Sequence, residues 1–270
     1  MLEDVGARGL VLLGCGKMGS AMLEGWLAQG VPAGSVWVID PHPSDWLRGI
    51  AGLHLNEDPP ESPAIALIAV KPQMMESALP RLKPMGGGGT LFLSVAAGTP
   101  IRFYEDVLGS RTPVIRAMPN TPAAIGKGIT ALIGNGASTE AQMELAEALL
   151  SAIGQTVRLD DEAEIDAVTG VSGSGPAYVV HLIEALAAAG QAEGLPAELA
   201  MKLAVATVAG AGALAEASGE TPAQLRRNVT SPNGTTQAGL EVLMDEREGL
   251  MELMRRTVAA ATARSRELGR

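Results

Sequence analysis

The chain has 270 residues and carries 30 acidic against 20 basic side chains, a formal net charge of −10. That length can bury a large core, in one domain or two, while an acidic surface repels a phosphate backbone and excludes nucleic acid as the expected partner. One cysteine, Cys15, forms no internal disulfide, and the chain opens Met1-Leu2-Glu3-Asp4 rather than with a basic segment and an apolar run, so a reducing, cytoplasmic setting is expected. The longest uncharged runs, Pro84 to Ile101 and Ala167 to Ile183, are interrupted by Gly, Ser and Pro, and no membrane association is expected.

Taken in chain order, short apolar runs at Gly9 to Leu13, Ser35 to Ile39, Ile65 to Val70, Leu91 to Val95 and Val114 to Ala117 have the length of strands. The stretches between them can hold helices. This spacing is that of a βαβ succession and predicts a mainly parallel sheet. Gly128 to Ile133 and Gln155 to Leu159 add two further strand candidates, and Thr139 caps a helix expected over residues 139–153. From Asp160 onward the pattern is helical, broken at Gly173 to Pro176, Gly194 to Pro196, Gly219 to Pro222 and Ser231 to Gly234, with Pro176, Pro196, Pro222 and Pro232 each placed to open a helix. The expected fold class is α/β: a domain on a mainly parallel, Rossmann-type sheet over residues 1–160, then an all-helical domain over residues 161–270.

Gly14-Cys15-Gly16-Lys17-Met18-Gly19 follows the first strand and leads into a helix expected from Ser20 to Gln29. This is the context a G-x-G-x-x-G motif requires. Gly14 permits the tight turn, Gly16 lets backbone approach a pyrophosphate, and Gly19 lets helix and strand pack closely, with unpaired helix amides facing the anion. Cys15 is either a redox thiol at a helix start or, the plainer reading, a small filler in the loop. Asp40 closes the second strand, where an acid accepts hydrogen bonds from ribose hydroxyls and repels a 2′-phosphate. That leans the cofactor toward NADH, although His42, Ser44, Arg48 and Asn56 stand close enough in sequence to receive a phosphate. Asp40 also reads as the start of an Asp-Pro turn.

Later strand ends offer further contacts: Ala69-Val70-Lys71-Pro72, Ala97 within Ser94 to Gly98, and Asn120 within Met118-Pro-Asn-Thr-Pro122. In an open parallel sheet, ligands sit beyond the carboxyl ends of the strands. Lys71 invites a reading as proton donor, but before a proline it fits cofactor positioning better. Asn120 reaches the nicotinamide end or belongs to a proline-stiffened turn. In the helical half, Ala204 to Ala217 is rich in Ala and Gly and has little to bury alone, so it wants a partner helix. Ser231-Pro-Asn-Gly-Thr-Thr236, opening a helix, offers free amides and hydroxyls suited to a small carboxylate, as any capped helix does.

The glycine loop, Ala69-Val-Lys-Pro72, Asp166-Ala-Val-Thr-Gly-Val-Ser-Gly-Ser-Gly-Pro-Ala-Tyr178, Val229-Thr-Ser-Pro-Asn-Gly-Thr-Thr236 and the closing Arg264-Ser-Arg-Glu-Leu268 together resemble the pyrroline-5-carboxylate reductases over nearly the whole chain. The resemblance implies reduction of a cyclic imine to proline with NAD(P)H, and a helical domain that dimerises by intertwining, with dimers associating into rings. It implies Glu162, Ser231, Gly234, Thr235 and Thr236 as substrate contacts, Asn228 as a cofactor contact, and Thr236 as the hydrogen-bonding group near the imine nitrogen. A protonated imine is already electrophilic, so the chemistry asks for alignment rather than a strong acid. Asn233 departs from the family's usual Gly and puts the pocket's width in question.

Two rivals share parts of this pattern. The 3-hydroxyacid dehydrogenases have a similar loop but rely on a lysine in the helix after a glycine-rich turn, and Pro176 to Ala189 contains none; its titratable side chains are Tyr178, His181 and Glu184. A non-catalytic dinucleotide sensor has no need of the carboxylate-binding turn. His54 and His181 lack any partner at ligand spacing, and no metal is expected.

Overall fold

A computed structural model describes residues 2–269. They form two compact units, one running to Gly173 and taking in the chain again from Thr262, the other spanning Ser174–Ala261.

The first unit is built on one sheet. Strands β1 (Leu10–Leu13), β2 (Val36–Ile39), β3 (His54–Leu55), β4 (Ile65–Ile68), β5 (Leu91–Ser94), β6 (Val114–Met118), β7 (Gly128–Gly134) and β8 (Gly154–Arg158) lie in the order β3-β2-β1-β4-β5-β6-β7-β8. Every neighbouring pair is parallel except β6 with β7, which is antiparallel. The chain leaves β1 toward β2 and β3, then returns to start β4 on β1's other side. That reversal opens the crevice in which doubly wound sheets bind ligands.

Sheet and core follow from one pattern. Leu10 and Leu12, Val36 and Val38, Ile65 and Leu67, and Leu91 and Leu93 point to one face, whereas Val11 and Leu13, Ala66 and Ile68, and Phe92 point to the other. Both faces are apolar, so both must be covered. Helices α1 (Leu2–Arg8), α2 (Lys17–Ala28), α3 (Asp45–Arg48), α4 (Met75–Ala78), α5 (Ile101–Leu108), α6 (Glu140–Leu150) and α7 (Glu164–Val168) belong to this unit. From α2, buried Met22, Leu23 and Trp26 join the first face; from α5, Ile101, Tyr104 and Leu108 join the second. Trp26 is fully buried because its indole N–H donates to the Leu149 carbonyl at 2.8 Å. Thr139 caps α6 in a reciprocal box with Gln142.

The second unit contains α8 (Gly175–Ala192), α9 (Ala197–Ser218), α10 (Pro222–Asn228), α11 (Thr235–Leu243) and the larger part of α12 (Leu250–Leu268). Pro176 and Pro222 sit in first turns as expected, and Pro196 is itself a cap. Pro232 does not open a helix: Asn233 takes a positive φ of 57° just after it, and Gly234 caps α11. A proline that enters a left-handed residue starts a turn. The helical pattern does follow β8, but the first compact unit holds on to α7 and a π-helical turn at Thr169–Gly173.

Exposure differs between the units. Between residues 174 and 261 the buried apolar side chains are Ala187, Ala200 and Ala204, while Val180, Leu182, Leu203, Val205 and Leu214 are among the large apolar groups left exposed. Helix α9 is long and apolar enough to cross a membrane by length and composition, with 11% of its most apolar window buried.

Candidate functional site

The glycine loop sits at the carboxyl end of β1, and steric contact explains its three glycines. Gly14 has φ +89°, a left-handed value, and a Cβ there would lie 2.8 Å from Val70 Cγ1. A Cβ on Gly19 would come within 2.5 Å of the Gly14 carbonyl oxygen. Loop, first turn of α2 and the end of β4 are therefore pressed together. Gly16 differs: it caps α2 in extended conformation, and a Cβ on it would meet nothing within 4 Å. The space over the helix N-terminus is open at the position where backbone must approach a pyrophosphate, so the residues present fit a dinucleotide. Lys17 is exposed beside that opening, whereas Met18 packs against the core.

Asp40, at the end of β2, is bound to this loop. One carboxylate oxygen accepts the Cys15 backbone N–H at 2.7 Å and the other accepts the His42 N–H at 2.7 Å. Two acceptor oxygens have about four lone-pair positions, so capacity remains for hydroxyl donors. Asn56, in left-handed conformation, exchanges two hydrogen bonds with the Asp40 backbone at 2.9 and 2.8 Å, completing the β2–β3 ladder with its side chain. The neighbours that sequence suggests for a phosphate are occupied locally: Ser44 Oγ accepts the Leu47 N–H and Arg48 Nε donates to the Pro43 carbonyl. Cys15 is buried and its thiol is pushed up to about 12, first by burial and then by the Asp40 charge, which disfavours the reactive thiolate and suits a loop filler.

The other strand ends join the same rim of the sheet. Ala69 lies 3.5 Å from where a Gly19 Cβ would stand, and Lys71, exposed, caps the short turn that Pro72 begins. After β5, the loop carrying Ala97 is held by Ser94, whose Oγ shares a buried 2.5 Å hydrogen bond with the Tyr104 hydroxyl and accepts the Ala96 N–H at 3.2 Å. After β6, Asn120 accepts the Ile129 N–H at 3.0 Å and donates to Ser172 Oγ at 3.3 Å. Gly173 lies so close to Met118 that a Cβ would stand 2.6 Å from its Cε. The Met-Pro-Asn-Thr-Pro turn and the start of the Ser-Gly-Ser-Gly segment, far apart in sequence, thus meet within the first unit.

Glu162 also belongs to the first unit, and it is engaged. Its Oε1 accepts from Arg116 Nη1 at 2.7 Å and from the Ile101 backbone N–H at 2.8 Å. The pair borders a cavity of about 480 Å³ lined also by Gly98, Pro100 and Asp166. Sequence reading missed Arg116, although the signal was present: a charge inside the apolar strand Val-Ile-Arg-Ala-Met demands a partner.

The remaining residues lie in the second unit. Ser231 accepts the Gly234 N–H through its carbonyl at 3.1 Å, and the Asn233 N–H donates to Gln237 Oε1 at 2.8 Å. Thr235 and Thr236 fill the first turn of α11, exposed, and among the described residues no hydrogen bond engages their hydroxyls. Asn228 closes α10 with its amide bonded to Gln224 and Glu220 at 2.7 and 2.8 Å. Among the described residues there is no cluster of His, Cys, Asp and Glu suited to a metal.

Comparison with known proteins decides the family. A pyrroline-5-carboxylate reductase of Pseudomonas aeruginosa is 40% identical over 265 residues, covering 96% of this chain and 96% of the relative. The chain belongs to the pyrroline-5-carboxylate reductase family. The model for pyrroline-5-carboxylate reductase dimerisation matches residues 162–268, and one described as NADP oxidoreductase coenzyme F420-dependent matches residues 9–98. Among solved reductases, that of Coxiella burnetii superposes with a TM-score of 0.91 at 31% identity, covering 97% of this chain and 99% of the other. The Plasmodium falciparum enzyme, solved with NADP bound, superposes with a TM-score of 0.83 at 28% identity, covering 97% and 98%. The reductase fold, a Rossmann-type unit followed by a helical one, is therefore shared along nearly the whole length.

Proposed function

We propose that the chain reduces 1-pyrroline-5-carboxylate to L-proline using NAD(P)H, with Asp40 slightly favouring NADH and NADPH still accepted. The observation that carries this reading is the near-full-length likeness to reductases of that substrate. When bound, the reduced nicotinamide supplies a hydride to the ring carbon double-bonded to nitrogen. The chain's own part is to hold and align. Gly14 to Gly19 and the α2 amides receive the pyrophosphate, and Asp40 receives ribose hydroxyls while its charge disfavours a 2′-phosphate. Ala69 to Pro72, Ala97 and Asn120 border the nucleotide, and Asn228 is a further cofactor contact on the family resemblance.

For the substrate, the Thr235 amide and the hydroxyls of Ser231 and Thr235 grip the carboxylate at the start of α11, where the helix dipole favours an anion. The Thr236 hydroxyl, without a hydrogen bond among the described residues, accepts from or donates to the ring nitrogen. A protonated imine nitrogen keeps its proton after hydride transfer and ends as a secondary amine, so no strong acid is consumed. A hydroxyl substrate would need a base to take its proton, and α8 has no lysine to do so.

The exposed apolar faces of α8 and α9 support a homodimer through the helical half, and a larger ring of dimers rests on the family resemblance alone. On this reading α9 is an intersubunit helix of a cytoplasmic enzyme, not a membrane span. The test follows NADH and NADPH oxidation on addition of pyrroline-5-carboxylate, beside Thr236→Ala. Wild type should turn over with either donor, faster with NADH, and the variant should lose most of kcat. Absence of turnover with both donors would overturn the function, and an undiminished variant would remove Thr236 from it.

A further inference from the structure

We propose that Glu162 and Arg116 act together as a positioning pair that sets two loops at the carboxyl end of the sheet, and that Glu162 is not a substrate contact; the kinetic part of this proposal rests on the imine-reductase reading above. The geometry is that of a clamp. One oxygen of Glu162 accepts both the Arg116 guanidinium, at 2.7 Å, and the Ile101 backbone N–H, at 2.8 Å.

Each partner sits at the root of a different loop. Ile101 is the first residue of α5, directly after the Val95 to Pro100 loop that carries Ala97. Arg116 is in the middle of β6, two residues before the Met118-to-Pro122 turn. Glu162 itself precedes α7 and the π-helical turn, whose Ser172 and Gly173 meet Asn120 and Met118. A carboxylate that fixes all three roots at once sets where the loop tips stand.

The energetics favour this role over contact with a small substrate. The Arg116 side chain is 9% exposed and that of Glu162 31%. A buried guanidinium without its carboxylate is strongly unfavourable, so Oε1, which carries both bonds, stays committed to Arg116 and Ile101. Rigid-body shifts of reacting groups of about 1 Å lower rates by about a hundredfold. Loosening the clamp should therefore be read in kcat and in nucleotide affinity, not in selective loss of imine affinity.

The experiment compares Glu162→Gln, Arg116→Met and the double variant. The expected result is a fall in kcat of about tenfold in each single variant, an imine KM within about threefold of wild type, and a double variant no worse than either single one. Hydrogen exchange read in parallel on residues 95–101 and 118–122 should accelerate in both single variants. Two kinetic outcomes overturn the proposal: Glu162→Gln raising imine KM while Arg116→Met leaves it alone, or single effects that multiply in the double variant. If Arg116→Met fails to fold, Arg116→Lys takes its place, since the ammonium keeps charge but not the planar fork. If wild type shows no turnover at all, the functional reading falls while the clamp is still judged: unchanged exchange at both loops in Glu162→Gln rejects it, and coupled acceleration supports it.

Discussion

The Cys15 backbone N–H donates to the Asp40 carboxylate at 2.7 Å, so the residue that would select the nucleotide's ribose also fixes the loop that would hold its pyrophosphate. Replacement of Asp40 by Ser keeps a short acceptor and removes the charge. Asp40→Ser should shift the NADPH-to-NADH ratio of kcat/KM by about tenfold or more toward NADPH, because specificity is a difference in affinities and the repulsive element is gone. Steady-state kinetics with both donors checks it; an unchanged ratio would show that Asp40 serves the loop alone.

Gly16 and Gly19 should respond differently to the same added methyl group. At Gly19 the new Cβ would stand 2.5 Å from the Gly14 carbonyl oxygen, so Gly19→Ala is expected to lose about 1–3 kcal/mol of stability along with nucleotide binding. At Gly16 nothing lies within 4 Å, so Gly16→Ala should melt like wild type yet bind nucleotide about tenfold more weakly, or 1.4 kcal/mol. Thermal unfolding beside nucleotide titration separates the two.

The buried Cys15 thiol makes an alkaline prediction. Its folded-state value of about 12 lies above the ordinary 9.0, raised by burial and by Asp40. Below the ordinary value both folded and unfolded thiols are protonated and the contribution to stability is fully present. As pH rises, the unfolded thiol ionises first, and stability falls until the folded thiol ionises too. Urea unfolding between neutral and strongly alkaline pH should show this slope, and Cys15→Ala should flatten it. At neutral pH the native thiol should resist alkylation that the unfolded chain undergoes.

Asn233 holds a left-handed conformation, φ 57°, at the start of the α11 turn. Asn233→Ala should cost about 1 kcal/mol, since a Cβ without a compensating polar tip is disfavoured there. Asn233→Gly should keep stability near wild type and lower the imine KM, by removing a side chain beside the proposed carboxylate site. A KM that rises instead would mean that the Asn side chain helps to bind substrate.

Much of the first unit was legible because its signals are local. Strands β1, β4 and β5 are apolar on both faces, and the Thr139 cap and the glycine loop announce themselves in consecutive residues. What sequence missed depends on distant partners. β3 is two residues long and is recognised only through pairing with β2 and the stacking of Trp37 on His54, with ring centroids 4.4 Å apart. The antiparallel turn of β7 follows no local pattern. Arg116 and Ile101 come to Glu162 only through the fold. Pro232 looks like a helix opener until the next residue's positive φ is known. The reductase family was readable because its motifs are sequence features; the roles of their individual members are three-dimensional ones.

Between residues 174 and 261, three alanines are the buried apolar side chains. So small an apolar interior offers little to hold the unit folded by itself. If its cover is a second copy, as proposed, melting becomes a second-order process: dilution over about a hundredfold should lower the transition temperature, and refolding should slow in proportion. In the cell, the amount of active protein would then rise more steeply than the amount of chain synthesised.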